Sequence, residues 1–198
     1  MAAVLDINLL SERIISFNVI KDILNSYGVD INTISSIDNW MWENEKQIED
    51  LNYITEIIEQ NKIIIIKLAF KLFKDLGIYI EKIDDEYIYT FWLDTEEYPE
   101  LDCDLVNNKN EVYYQKIYQI IVDLEKQQKD LLKIVGIGIE SDFHYSKDIL
   151  NVIQNSYNIV SWVLNNDIKE KCILNGYYKK SIEKVNKTIF EKREYDVD

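Results

Sequence analysis

Apolar positions in the first third of the chain recur at spacings of three and four. From Asn8 to Tyr27 they fall at Leu10, Ile14, Phe17, Ile20, Leu24 and Tyr27, one face of a helix, and Gly28 follows as a left-handed stop. Residues 29–39 (VDINTISSIDN) are rich in Asn, Ser, Thr and Asp and read as a connector, with Ser36 or Asp38 available to cap a second helix. That helix is expected to begin near Trp40, Met41 and Trp42 and to carry Ile48, Leu51, Ile54 and Ile58 on one face. Two tryptophans at its start fit a hydrophobic staple folding back on the helix. They also fit anchors of a binding surface, where Trp is enriched. In residues 62–77 four consecutive isoleucines suit a strand. Lys67, Lys71 and Lys74, however, align on one stripe only in a helix, which predicts a central buried helix closed by Gly77.

The pattern then changes to a period of two. In residues 78–83 (IYIEKI) Ile78 and Ile80 oppose Tyr79 and Glu81. In residues 86–93 (EYIYTFWL) Tyr87, Tyr89, Phe91 and Leu93 oppose Ile88, Thr90 and Trp92. Asp84 and Asp85 between them suit a turn. An acidic loop, residues 94–100, holds the only proline. Leu101, Cys103 and Leu105 then alternate with Asp102 and Asp104 as a third short strand. Beyond Asn107–Asn110, the spacing of Tyr114, Ile117, Ile121 and Leu124 predicts a helix from Glu111 to about Asp130. Residues 131–141 (LLKIVGIGIES) form the near-continuous apolar run of a strand buried on both faces. A helix capped by Ser146 and running to Leu164 follows. After the ambiguous segment 167–174, Asn175 and Gly176 read as a helix stop before a last helix marked by Tyr178, Ile182, Val185 and Ile189, and the tail 191–198 reads as frayed.

These elements predict a single helix-rich α+β domain. Its sheet would be small and mixed, a three-stranded antiparallel meander joined by one strand after a crossover helix, packed with about six helices. Residues 1–76 would be a helical N-terminal part and residues 77–198 an α/β part with a basic C-terminal helix.

Composition narrows the functional classes. With 47% hydrophobic and 29% charged residues the chain has ordinary globular usage, not that of a disordered protein. The abundance of Ile, Asn, Lys and Tyr, against three Ala and two Arg, matches an AT-rich coding bias and is not read as a functional signature. The net charge is -14, which disfavours direct binding to a nucleic-acid backbone and favours basic partners. The charge is uneven. Residues 81–111 hold eleven Asp or Glu against two Lys, whereas residues 168–198 hold eight Lys or Arg against six Asp or Glu. Cys103 and Cys172 stand far apart in no metal-ligand spacing, which suits a reduced, cytoplasmic setting. The N-terminus has no basic start followed by an apolar run, so no signal peptide is expected, and no apolar stretch reaches the length of a membrane span.

Three constellations invite chemistry. Asp102, Asp104, Glu140 and Asp142 would converge if their strands were neighbours, and four carboxylates could hold Mg²⁺ or Mn²⁺ for work on a phosphate-containing substrate. No phosphate-cradling loop or partnering lysine accompanies them, and aspartates two apart on a solvated strand are common. His144, the single histidine, follows Asp142, but neither Ser141 nor Ser146 sits in a nucleophile elbow. Gly136 and Gly138 lie within an apolar strand and not after it, which points to close backbone packing or a bulge in place of a dinucleotide loop.

The aromatic and acidic residues of the second strand and its loop give the leading expectation. Glu86, Tyr87, Tyr89, Trp92, Asp94, Glu96, Glu97, Tyr98 and Glu100 would form a partner-binding face in which carboxylates steer the encounter and rings supply contact area. The protein is then a non-enzymatic acidic binding protein for a basic protein partner, of the immunity-protein, antitoxin-type inhibitor or nucleic-acid-mimic kind. It needs no cofactor. The alternatives are the Mg²⁺- or Mn²⁺-dependent enzyme and a structural subunit whose two-sided apolar strand is buried in a homodimer.

Overall fold

Val4–Ser11 is a strand, β1, hydrogen-bonded along both edges, and the rest of the sheet is built outward from it. The structure is a computed structural model and describes residues 3–71, 75–96, 98–168, 174, 177–182 and 185–193. In chain order the strands are β1, β2 (Asp30–Ile37), β3 (Lys46–Gln47), β4 (Ile63–Ala69), β5 (Leu76–Ile83), β6 (Glu86–Asp94), β7 (Leu132–Asp142), β8 (Tyr157–Asn165), β9 (Tyr178–Ile182) and β10 (Lys187–Glu191). The helices are α1 (Phe17–Ser26), α2 (Ile54–Glu59), α3 (Glu111–Gln127) and α4 (Ile149–Asn155). All ten strands join one sheet in the order β3-β2-β4-β5-β6-β1-β7-β8-β10-β9, and every strand pair is antiparallel.

This overturns the helix-rich expectation of about six helices around a small mixed sheet: the described residues are 41% strand and 26% helical, with four α-helices among them. Four segments account for the difference. β4 and β8 are buried on both faces, so their apolar runs carry no period of two. The lysine stripe that argued for a helix begins with Lys67, one of the exposed positions near the end of β4; Lys71 follows the strand, and Lys74 lies outside the described residues. The run read as one helix from Asn8 is a strand followed by a helix, because Leu5, Ile7 and Leu9 already alternate with Asp6 and Asn8. The basic C-terminal helix is the β9–β10 hairpin. The helical N-terminal part is thereby replaced by β1 to β4 with α1 and the short α2. Residues 101–106 form no strand: Leu101 ends a short 3₁₀ turn, Pro99–Leu101, and only Val106 bridges to Arg193. Asn175, Gly176 and the tail from 194 lie outside the described residues.

Other readings hold. β5 and β6 form a hairpin around Asp84 and Asp85, and α3 buries Tyr114, Ile117, Ile121 and Leu124. α1 stops before Gly28, whose φ of 74° is left-handed. α4 is capped by Asp148, which accepts the Leu150 N–H, and not by Ser146.

The antiparallel pairings leave β1 and β2 running the same way with three strands between them, and β6 and β7 the same way on either side of β1. α1 and α3 make these two crossings on one face and pack together there over Leu5, Leu9, Ile64, Ile66, Tyr89, Val135 and Val163. Lys187 is buried on the sheet. Its ammonium pairs with Glu125 of α3 at 3.0 Å and donates to the Leu132 carbonyl and Asn165. Burial pulls its pKa down, against the pull of Glu125. Breaking one side of such a pair costs about 3–5 kcal/mol, so it fixes α3 over β7 and β10. The opposite face is covered differently. α4 and the rings of Phe143 and Trp162 close it over Leu10, Ile134 and Phe190, whereas toward β5 the cover is a loop.

Gly138 marks where β7 and β8 slip register. A Cβ there would lie 1.9 Å from the Asn158 carbonyl oxygen, and Asn158 is itself left-handed with φ 57°. Gly138→Ala is therefore expected to lower stability by roughly 3 kcal/mol. A fall in the urea midpoint at unchanged m-value checks this, and a variant as stable as the natural protein would contradict the close approach.

Candidate interaction surface

β2 ends in the buried Ile37, and residues 38–45 turn back into the two-residue edge strand β3. Local bonds hold this loop. The Asp38 N–H donates to the Glu43 carbonyl (2.9 Å) and the Trp42 N–H to the Asn39 carbonyl (3.0 Å). The Asn39 side chain accepts the Met41 N–H (2.9 Å) and donates to Glu43 (2.7 Å). Asn44 and Lys62 both donate to Asp38, at 2.7 and 2.8 Å, and these two bonds, Lys62 first, hold its carboxyl below the ordinary carboxylate range. Trp42 and Asn44 have φ of 60° and 55°. The left-handed region is easy for Asn but costs a bulky residue about 1 kcal/mol or more. What this arrangement presents is apolar. Met41 at the tip is 81% exposed, between Trp40 at 49% and Trp42 at 47%.

The loop is seated on an aromatic strip. The Trp40 indole donates to Glu81 (3.0 Å) and its ring meets Tyr79 edge-on, centroids 5.3 Å apart at 84°. Tyr79 in turn stacks on Trp92, 5.7 Å apart at 24°. Trp92 can lie across β5 because Gly77 stands opposite it. A Cβ at Gly77 would come within 2.6 Å of the indole ring. Burial raises the Glu81 pKa, with the Trp40 N–H opposing. Beside the strip runs a polar chain: Thr90 donates to Asn8 (2.8 Å), Asn8 to the Ser141 hydroxyl (3.0 Å), and the Ser141 N–H to Asp6 (3.0 Å). Asp6 is pushed up to about 6 by burial; the two Ser141 hydrogen bonds act in the opposite direction, and the charge of Glu140 adds to the rise.

The residues singled out from sequence are scattered by the fold. Glu86 is buried and accepts from Lys133, and Tyr87 donates to Glu59. The Tyr89 hydroxyl, fully buried, accepts the Ile15 N–H at 2.6 Å. The polar groups of these three are engaged within the protein, Tyr87 and Tyr89 on the face covered by α1 and α3 and Glu86 on the other. Trp92 belongs to the aromatic strip. Asp94 caps the turn that follows it by accepting the Glu96 N–H; Tyr98 packs edge-on against Tyr113, and Glu100 accepts the Tyr113 hydroxyl. Glu96 is exposed, and Glu97 lies outside the described residues. Asp102, Asp104, Glu140 and Asp142 are all exposed, and among the described residues no three or more His, Cys, Asp or Glu gather to hold a metal. His144 is exposed, its backbone N–H donating to Ser156. Cys103 is a free thiol near Asn107, and Cys172 lies outside the described residues.

The sequence left Trp40 and Trp42 as either a staple at a helix start or anchors of a binding surface; the helix begins only at Ile54, so no staple forms. The signal for a loop was the pair of asparagines, Asn39 and Asn44, bracketing them.

The chain shows no significant match to any known family, characterised protein or solved structure. Among the described residues no helix is long and apolar enough to cross a membrane.

Because the folded pKa of Asp6 lies above the ordinary 3.8, the fold favours its protonated form. The resulting stability is present below pH 4, is lost as pH rises toward 6, and stays lost at neutrality. Asp6→Asn keeps an acceptor for Ser141. It should exceed the natural protein by about 2 kcal/mol at pH 7, after allowance for partial exposure, and match it near pH 3.5. Urea unfolding at the two pH values reads the difference, and a gap independent of pH would contradict it.

Proposed function

We propose that this is a non-enzymatic binding protein that engages a basic protein partner, with the Trp40–Met41–Trp42 tip as its anchor. The observation that carries the reading is the exposure of Met41 between two half-exposed tryptophans on a loop held by its own hydrogen bonds and one strained residue. The Met41 side chain at the tip adds little to the fold. Backbone strain that the surroundings maintain is characteristic of functional elements, and Trp is the residue type most enriched at interface hot spots.

Charge supports a basic partner. Residues 38–50 contain Asp38, Glu43, Glu45, Glu49 and Asp50 against Lys46 alone, so the stretch that carries the tip is acidic. The net charge of -14 adds a long-range field, to which the exposed Glu96, Asp102 and Asp104 contribute. The complementary surface is an apolar pocket ringed by Lys and Arg. Steering by carboxylates and anchoring by a rigid apolar tip would suit an inhibitor that must find a basic enzyme or toxin quickly, as immunity and antitoxin-type proteins do.

The test is capture by immobilised protein at low and high salt, comparing the natural chain with Met41→Asp. The variant should unfold within about 0.5 kcal/mol of the natural protein, because the side chain is exposed. It should bind the captured basic protein at least roughly 30-fold more weakly. Equal capture by both forms, or capture of acidic proteins insensitive to salt, would overturn the reading.

A further inference from the structure

An open cavity of about 400 Å³ lies between β3 and α2, at the foot of the same loop. Its lining carries both signs of charge. Lys62 is already paired with Asp38, which leaves Lys46 as the other cation. Against it stand three carboxylates, Glu49, Asp50 and Glu56. Asp50 spends one oxygen on the backbone and side chain of Asn52. Ile48 and Ile57 give the cavity an apolar floor, and the Tyr53 ring, 56% exposed, stands in its wall.

We infer that this groove receives an arginine side chain of the same basic partner whose apolar pocket takes the Met41 tip, an inference that rests on the reading proposed above. The occupant follows from the lining. Three carboxylates suit a delocalised cation with several donors, an apolar floor suits its aliphatic stem, and an exposed phenol ring suits stacking by a guanidinium. The groove opens on the side of the sheet where Ser36 pairs with Lys46, whereas Trp40 packs on the other side over Tyr79. A partner gripping the loop therefore straddles the β2–β3 edge, with one contact on each side.

The test uses N-acetyl-arginine methylamide titrated into the isotope-labelled full chain, followed by amide chemical shifts. Shifts should centre on residues 46–62 and weaken about fivefold in Tyr53→Ala. They should disappear in a Glu49→Lys, Glu56→Lys double variant and persist in Met41→Asp. Shifts centred on residues 94–104, shifts indifferent to Tyr53→Ala, or no shifts would overturn the inference. Partner capture separates the two claims. If Met41→Asp loses the partner while the Glu49→Lys, Glu56→Lys variant keeps it unweakened, the groove inference fails and the binding reading stands. If both variants keep it, the binding reading fails.

Discussion

Everything in this fold depends on β1 being hydrogen-bonded on both sides. It joins the meander β2-β4-β5-β6 to the second half, β7-β8-β10-β9, in one continuous antiparallel sheet. Two crossovers, by α1 and α3, join strands that run the same way, and both run over the same face. A sheet ten strands wide with its long helices on one side must find other cover for its second face. Over β7, β8 and β10 that cover is α4 with Trp162 and Phe143. Over β5 and β6 it is the 38–45 loop and the rings of Trp40, Tyr79 and Trp92.

The proposed binding surface follows from that shortage. Rings that close a sheet face through a loop are at once core and surface, and a loop anchored by a ring on its inner side can hold another residue outward at little further ordering cost. Trp40 is the inner anchor, through Tyr79 and Glu81, and Met41 is the outward residue. Trp42 bears the backbone strain. The acidic loop after β6 fits the same account in a lesser role. Its Tyr98 packs on Tyr113 of α3 and its Glu100 accepts the Tyr113 hydroxyl, while Glu96, Asp102 and Asp104 are exposed.

Much of the middle of the chain was legible. The β5–β6 hairpin and α3 show their own periodicity, β7 is told from a helix by its glycines and its place after α3, and Gly136 and Gly138 were rightly read as close packing within a strand. β4 and β8 were not legible, because a strand buried on both faces leaves the same unbroken apolar run as a buried helix, and Lys67, Lys71 and Lys74 fell by coincidence at helical spacing. The site was legible only in part. Acidity in a stretch of sequence does not say which carboxylate meets a cation from elsewhere. Glu86 meets Lys133, and Glu59 of α2 takes both Lys82 and Tyr87. The exposure of Met41 was beyond reach for a related reason: the two flanking tryptophans imply burial until the partners of Trp40, some forty residues away, are known.

The central claim is that the tip is held ready before any partner arrives. Amide hydrogen exchange on the free protein tests it most directly, because the N–H groups of Asp38, Met41 and Trp42 all donate within the loop. The account predicts that these three exchange much more slowly than open-chain amides and no faster once Met41 is replaced by Asp. Exchange at open-chain rates would mean a mobile loop whose exposed Met41 is an accident of one conformation, and would contradict it.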